Sequence, residues 1–222
     1  MKINHYIDHT ILKPVTVTAQ IKNVCAEAKQ YKFAAVCVPP LFVKKSKELL
    51  EDSKVKVATV IGFPFGYSAI EAKLAEILLA IVDGADELDV VINFTAIKNN
   101  DWLYAANEIN HLMPIIKKND KVIKVIIESG VLTQDELLKC CELYGAAGID
   151  YLKTSTGFSQ TGATIEAVKT MRENLPPHVQ IKASGGIKTY KFAEQLIAAG
   201  ATRLGCSASV AIVEGQPTES NY

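Results

Sequence analysis

The chain has 222 residues, with 24 Lys and Arg balanced by 24 Asp and Glu, and 49% of it is hydrophobic. That length fits one compact domain, and the charge balance leaves no basic stripe for a nucleic-acid backbone and no acidic tail. Only Arg172 and Arg203 are arginines, five cysteines (Cys25, Cys37, Cys140, Cys141, Cys206) form no CxxC pair, and no apolar leader or membrane span is read, so a reduced cytoplasmic protein is expected.

In chain order the apolar pattern alternates between two periods. A strand is expected at 4–9, then a helix over 18–31, a strand at 34–38 and a helix at 41–52. Strand 55–61, helix 68–83, strand 87–93 and helix 101–117 follow, then strand 122–127 and helix 133–147. The last units are strand 150–154 with helix 161–174, strand 179–183 with helix 190–199, and strand 202–206 with a short helix at 208–213. Thr133-Gln134-Asp135-Glu136 fits a capping box, and Gly84, Gly148 and Gly200 each stand where a helix should stop before a strand. Crossover helices force parallel strands, and eight near-equal units predict a closed (β/α)8 TIM barrel as a single domain over 1–213. An open doubly wound sheet is the rival, but no G-x-G-x-x-G follows the first strand. Residues 214–222, with Gly215, Pro217 and Ser220, read as a flexible tail.

In a barrel, chemistry collects at the C-terminal ends of the strands. Alternation along 87–93 puts Glu87, Asp89, Val91 and Asn93 on one face and Leu88, Val90 and Ile92 on the other, so Asp89 should point inward. Lys153 and Lys182 lie near the ends of neighbouring strands. Each taken alone reads as a partner for a carboxylate such as Asp89 or Glu128, or as a side chain snorkelling to the mouth. A pair reads differently, because a second cation nearby lowers the pKa of an amine and makes it a nucleophile. Lowering a lysine from about 10.4 by roughly three units costs about 4 kcal/mol, which demands a preorganised site. The pair points to Schiff-base chemistry on a carbonyl.

Three hydroxyl and glycine segments close the last strands: Thr154-Ser155-Thr156-Gly157, Ser184-Gly185-Gly186 and Gly205-Cys206-Ser207. One such turn would be ordinary; three in consecutive units suggest backbone N–H groups receiving a phosphate. His5 and His9, spaced four apart on a strand or loop, share no ligand face, and no metal is expected. Cys37 stands at a strand end and reads chiefly as a buried thiol. Lys124 and Glu128 are expected to form an internal ion pair.

These motifs carry a resemblance. Leu152-Lys153-Thr154-Ser155-Thr156-Gly157-Phe158 and Lys182-Ala183-Ser184-Gly185-Gly186-Ile187 resemble the deoxyribose-phosphate aldolase family, as do Asp8-His9-Thr10, Ala35-Val36-Cys37-Val38, 87–93 and 124–128. The resemblance implies a cofactor-free class I aldolase acting on a phosphorylated sugar, with members often dimers or larger homo-oligomers. It implies Lys153 as the Schiff-base lysine, Lys182 as the second lysine and Asp89 as the carboxylate working with it through a water. Gly157, Gly185, Gly186, Gly205 and Ser207 match positions near the phosphate. Asp8, Cys37, Thr156 and the terminal Tyr222 match accessory positions. Ala208 and Phe158 depart from the pattern, where some members carry a serine and a lysine. Rival readings are a Schiff-base barrel aldolase for another phosphorylated sugar and a silent sugar-phosphate-binding barrel.

Overall fold

The computed structural model describes residues 2–216. Eight strands run in chain order: β1 (Ile7–Thr10), β2 (Ala35–Val38), β3 (Lys56–Ile61), β4 (Glu87–Val91), β5 (Val122–Ile126), β6 (Tyr151–Lys153), β7 (Gln180–Ser184) and β8 (Arg203–Cys206). Each pairs in parallel with the next, and β8 closes on β1 to make the expected barrel. The helices outside are α1 (Thr18–Tyr31), α2 (Val43–Leu49), α3 (Ile70–Val82), α4 (Phe94–Lys98), α5 (Trp102–Lys118), α6 (Gln134–Ala146), α7 (Ile165–Asn174), α8 (Tyr190–Ala198) and α9 (Ser209–Glu214).

Local chemistry explains most boundaries. The Thr133 capping box is present, with the Thr133 N–H donating to Glu136 Oε2 at 2.7 Å. Gly84, Gly148 and Gly200 all sit at positive φ between a helix and a strand, where a Cβ is disfavoured. Residues Asn4–Tyr6 form a 3-10 turn rather than the start of a strand, because the Asn4 amide donates to the Tyr31 carbonyl and pins the turn to the end of α1. β4 ends two residues earlier than expected: Asn93 turns its side chain to accept from the Ala96 N–H and starts α4, a helix the apolar pattern did not reveal. α7 begins late, at Ile165, because 161–163 run extended along β7, where the Ala163 N–H donates to the Ser184 and Gly185 carbonyls. The expected tail begins at the last residue of α9, and 217–222, Tyr222 included, lie outside the described residues.

Strand alternation divides the interior into two regions. Outward side chains such as Ile7, Val36, Val57, Leu88, Val125, Leu152, Ile181 and Leu204 pack against the helices in one continuous apolar layer. Each fully buried aliphatic side chain there contributes about 1.5–3 kcal/mol. Inward side chains form the lumen. On β2 and β3 they are small and apolar: Ala35, Cys37, Ala58 and Val60. On the other strands they include Asp8, Glu87, Asp89, Lys124, Lys153 and Lys182, all buried, together with the half-buried Arg203.

Candidate active site

The register aligns the charged positions. Asp89 lies opposite Lys124, Ile126 opposite Lys153, Lys153 opposite Lys182, and Lys182 opposite Arg203. Three amines therefore converge on one carboxylate. Asp89 Oδ1 accepts from Lys124 Nζ, and Oδ2 accepts from both Lys153 and Lys182, each at 2.7 Å. The contact from Asp89 to both catalytic candidates is direct. Lys182 also donates to Asp8 Oδ2 at 2.5 Å. Asp8 Oδ1 accepts from Arg203 at 2.7 Å, and Arg203 meets Glu87 at 3.0 Å. Lys124 binds Glu87 at 2.7 Å.

The electrostatics follow from this geometry. Burial holds the Lys153 amine below the ordinary lysine range, and Lys182 reinforces that, against the pull of Asp89. Lys182 moves the opposite way: burial opposes its charge, but Asp8 and Asp89 raise it. Burial alone would raise the Asp89 and Asp8 carboxyls, yet the cations around them hold both well below the usual range. One amine is thus prepared to lose its proton and its neighbour to keep one. Cys37 is buried against this cluster, and burial pushes its thiol up to about 11, so it is a neutral wall rather than a nucleophile.

Above the cluster a cavity of about 540 Å³ opens at the C-terminal end of the barrel. Lys153 lines it, as do Thr156, Gly157, Gly185, Gly186, Gly205 and Ser207. Asp8, Asp89, Lys182 and Cys37 stand beneath or beside it rather than on its wall. Gly157, Gly185 and Gly186 have φ between 74° and 88°, a backbone that glycine adopts freely. A Cβ on Gly205 would meet Ser184 Cβ at 2.8 Å and the Lys182 stem at 3.3 Å. Ala208 also lines the cavity, and so does Phe158, whose ring meets Phe63 edge-on at 5.3 Å. A second concavity of about 570 Å³, between α2 and α3 at the other end of the barrel, is lined by surface groups such as the Lys47–Asp86 pair and holds none of these residues.

Several contributors escape sequence reasoning. Thr10, Gln160, Gly162 and Lys188 line the cavity. Gly162 is packed so closely on the next loop that a Cβ would lie 2.3 Å from the Gly185 carbonyl oxygen. The expected Lys124–Glu128 pair does not form. Glu128 sits in the left-handed region, φ 50°, which swings its carboxylate out of the strand row. There it accepts from the Thr156 N–H at 3.1 Å, from the Thr156 hydroxyl and from Ser159 Oγ at 2.9 Å, tying down the loop that follows Lys153. Strand parity alone would have found Lys124, Glu87 and Arg203, since all three share the inward row. His9 faces outward, between Glu27 Oε2 at 2.7 Å and Ser209 Oγ at 2.9 Å. Arg172 is spent on the Val179, Leu175 and Pro176 carbonyls, so neither arginine lines the cavity.

Comparison with known proteins agrees over nearly the whole chain. A family model for DeoC/LacD family aldolases matches residues 2–212. The chain is 48% identical over 222 residues, all of both chains, to the deoxyribose-phosphate aldolase of Lactococcus lactis subsp. lactis. It is 49% identical over 216 residues to that of Clostridium perfringens strain SM101, covering 97% of this chain and 96% of the other. Among solved structures, the tetrameric deoxyribose phosphate aldolase of Aeropyrum pernix superposes with a TM-score of 0.89 at 31% identity, covering 96% of this chain and 89% of that one.

Proposed function

The chain belongs to the family of DeoC/LacD aldolases, and from that premise we propose that it cleaves 2-deoxy-D-ribose 5-phosphate reversibly to D-glyceraldehyde 3-phosphate and acetaldehyde, in the breakdown of deoxynucleosides. The observation that carries the proposal is the amine of Lys153, which lines the cavity and shares the Asp89 carboxylate with a second amine, Lys182.

The neutral Lys153 amine adds to the C1 aldehyde of the open-chain sugar, and loss of water leaves an iminium. That cation draws electrons from the C2–C3 bond; a cut at C3–C4 would not leave the two carbons of acetaldehyde. As C2–C3 breaks, the C3 hydroxyl gives its proton to a base and C3 departs as the aldehyde of glyceraldehyde 3-phosphate. The electron pair becomes an enamine on Lys153, which takes a proton at C2 and is hydrolysed to acetaldehyde. Lys153 and Lys182 each stand within hydrogen-bond reach of Asp89, which supports Lys182 and Asp89 as the proton carriers. The iminium is itself the electron sink, so the proposed route calls on no cofactor. Gly157, Gly185, Gly186, Gly205 and Ser207 receive the phosphate, with Lys188 as the nearby cation. Asp8 holds Lys182 in place, Thr156 orders the loop, and Cys37 closes the apolar wall.

We place the enzyme in the cytoplasm as a homo-oligomer. Five free buried thiols support the first. The second draws on the tetramer of the Aeropyrum relative and on Leu78, Leu79 and Val82, exposed along α3. No helix among the described residues is long and apolar enough to cross a membrane.

Borohydride reduction in the presence of acetaldehyde tests the chemistry. A two-carbon adduct should appear on Lys153 and vanish in Lys153→Leu; an adduct on another residue, or none, refutes the mechanism. Equal turnover of deoxyribose and its 5-phosphate would refute the phosphate site.

A further inference from the structure

We infer that Arg203 and Glu87, side chains on the lumen side of the barrel that do not line the cavity, are positioning residues that hold Lys153 in its unprotonated form by closing a ring of alternating charges beneath it. The ring can be traced contact by contact. From Asp89 it runs to Lys182 (2.7 Å), to Asp8 (2.5 Å) and to Arg203 (2.7 Å). It continues to Glu87 (3.0 Å), to Lys124 (2.7 Å) and back to Asp89 (2.7 Å). Three carboxylates and three cations alternate, and their charges sum to zero. Lys124 also approaches Asp8 across the ring at 3.8 Å.

Lys153 joins this ring at Asp89 but adds a seventh group. As an ammonium it would give the lumen a net positive charge, and a buried net charge is costly. As a free amine it leaves the lumen neutral. Every carboxylate in the ring already has two cationic neighbours within it, so Asp89, the one that Lys153 reaches, is balanced before Lys153 is counted. Had Arg203 been absent, the same lumen would hold three carboxylates and two cations, and an ammonium at Lys153 would restore the balance.

The remaining groups near the cluster lie outside the ring: Glu128 at the end of β5 turns to Thr156 and Ser159, and Lys188 lines the cavity above. Cys37 on β2 and Cys206 on β8 are thiols that burial pushes up to about 11 and about 12, so both are neutral. Tyr151 on β6 lies with its ring 5.4 Å from the Arg203 guanidinium carbon and its hydroxyl 3.5 Å from Nη2. Arginine is the suitable residue at the remote position, because a guanidinium keeps its proton at any working pH and so acts as a fixed charge.

The inference rests on Lys153 being the Schiff-base lysine, and the experiment separates the two. Borohydride trapping of acetaldehyde on Lys153 is followed across pH by mass spectrometry, and the midpoint of the rise gives the pH at which the amine becomes free. Arg203→Gln leaves the ring with a net negative charge and should move the midpoint up by about one pH unit, with trapping at neutral pH about tenfold slower. Glu87→Gln leaves it net positive and should move the midpoint down by a similar amount. Glu87→Gln combined with Arg203→Gln restores neutrality and the parental midpoint, and Arg203→Lys keeps it. Loss of packing alone would move both single variants the same way. Midpoints that stay put, or that shift in one direction for both, overturn the inference. Should Arg203→Gln fail to fold, an unmoved midpoint in Glu87→Gln overturns it as well. Failure of the parent protein to trap anything on Lys153 overturns the Schiff-base reading instead.

Discussion

The layer outside the barrel strands and the lumen inside them are built from alternate residues of the same eight strands, yet they are held together by different forces. The outer layer is apolar almost throughout, and its stabilisation scales with area removed from water. The lumen of most barrels of this fold is filled by branched aliphatic side chains. Here the β2 and β3 side, with Val91 and Ile126 on the next two strands, stays apolar, and much of the rest is a network of ions. Leu88 and Asp89, adjacent on β4, belong to one region each. The difference teaches that strength and reactivity have been assigned to opposite faces of the same strand: an apolar face tolerates any pH, whereas an ionic face responds to each proton.

Substitution at these two neighbours breaks the comparison most directly. Asp89→Ala should lower kcat by about 10²–10⁴-fold on the proposed mechanism, since Lys153 and Lys182 lose their shared acceptor. It should also cost about 3–5 kcal/mol of stability, because Lys124, Lys153 and Lys182 are left around an empty position. Leu88→Ala should cost about 2–5 kcal/mol in urea unfolding, yet leave turnover per folded molecule unchanged. If Leu88→Ala impaired turnover as severely as Asp89→Ala, the division between the two regions would be wrong.

Acid sharpens the contrast. Asp8 and Asp89 titrate lower in the folded protein than the value near 3.9 of an unfolded aspartate. Their contribution is therefore complete above about pH 4 and is lost as pH falls through the folded values, on the order of a few kcal/mol. Urea midpoints measured between pH 7 and pH 2 should fall steeply at the acid end. In Leu88→Ala the whole curve should move down without changing shape. The smallest effect is expected at the mouth: Ser207→Ala should raise KM for the phosphorylated sugar about tenfold with kcat unaltered, and leave the unphosphorylated sugar as it was. A matching rise for both sugars would remove Ser207 from the phosphate end.

Much of this was legible because strand alternation is a strong rule. It turned Asp89 inward, and the two lysine motifs lay on neighbouring strands whose pairing brings their amines to one carboxylate. What escaped required contacts across the lumen. Asp8, Glu87 and Arg203 come from β1, β4 and β8, and no local pattern announces that their side chains meet. Lys124 and Glu128 share an inward parity, but four residues of strand separate them by about 13 Å. The left-handed backbone at Glu128 then sends its carboxylate to the 156–159 loop instead. The 3-10 turn at Asn4–Tyr6 and the helix begun by Asn93 depend on single side-chain bonds that periodicity cannot see.

The close seating of Gly162 on Gly185 has a consequence for how such a site could change. With the Ala163 N–H bonded to the Ser184 and Gly185 carbonyls, the loops after β6 and β7 are stitched at the backbone. An insertion in either would disturb the proposed Schiff-base end and the proposed phosphate end together. New acceptor aldehydes are therefore easier to accommodate by altering Thr10 or Ala208, which line the cavity from outside that stitched unit, so the evolvable edge of the pocket lies away from those two loops.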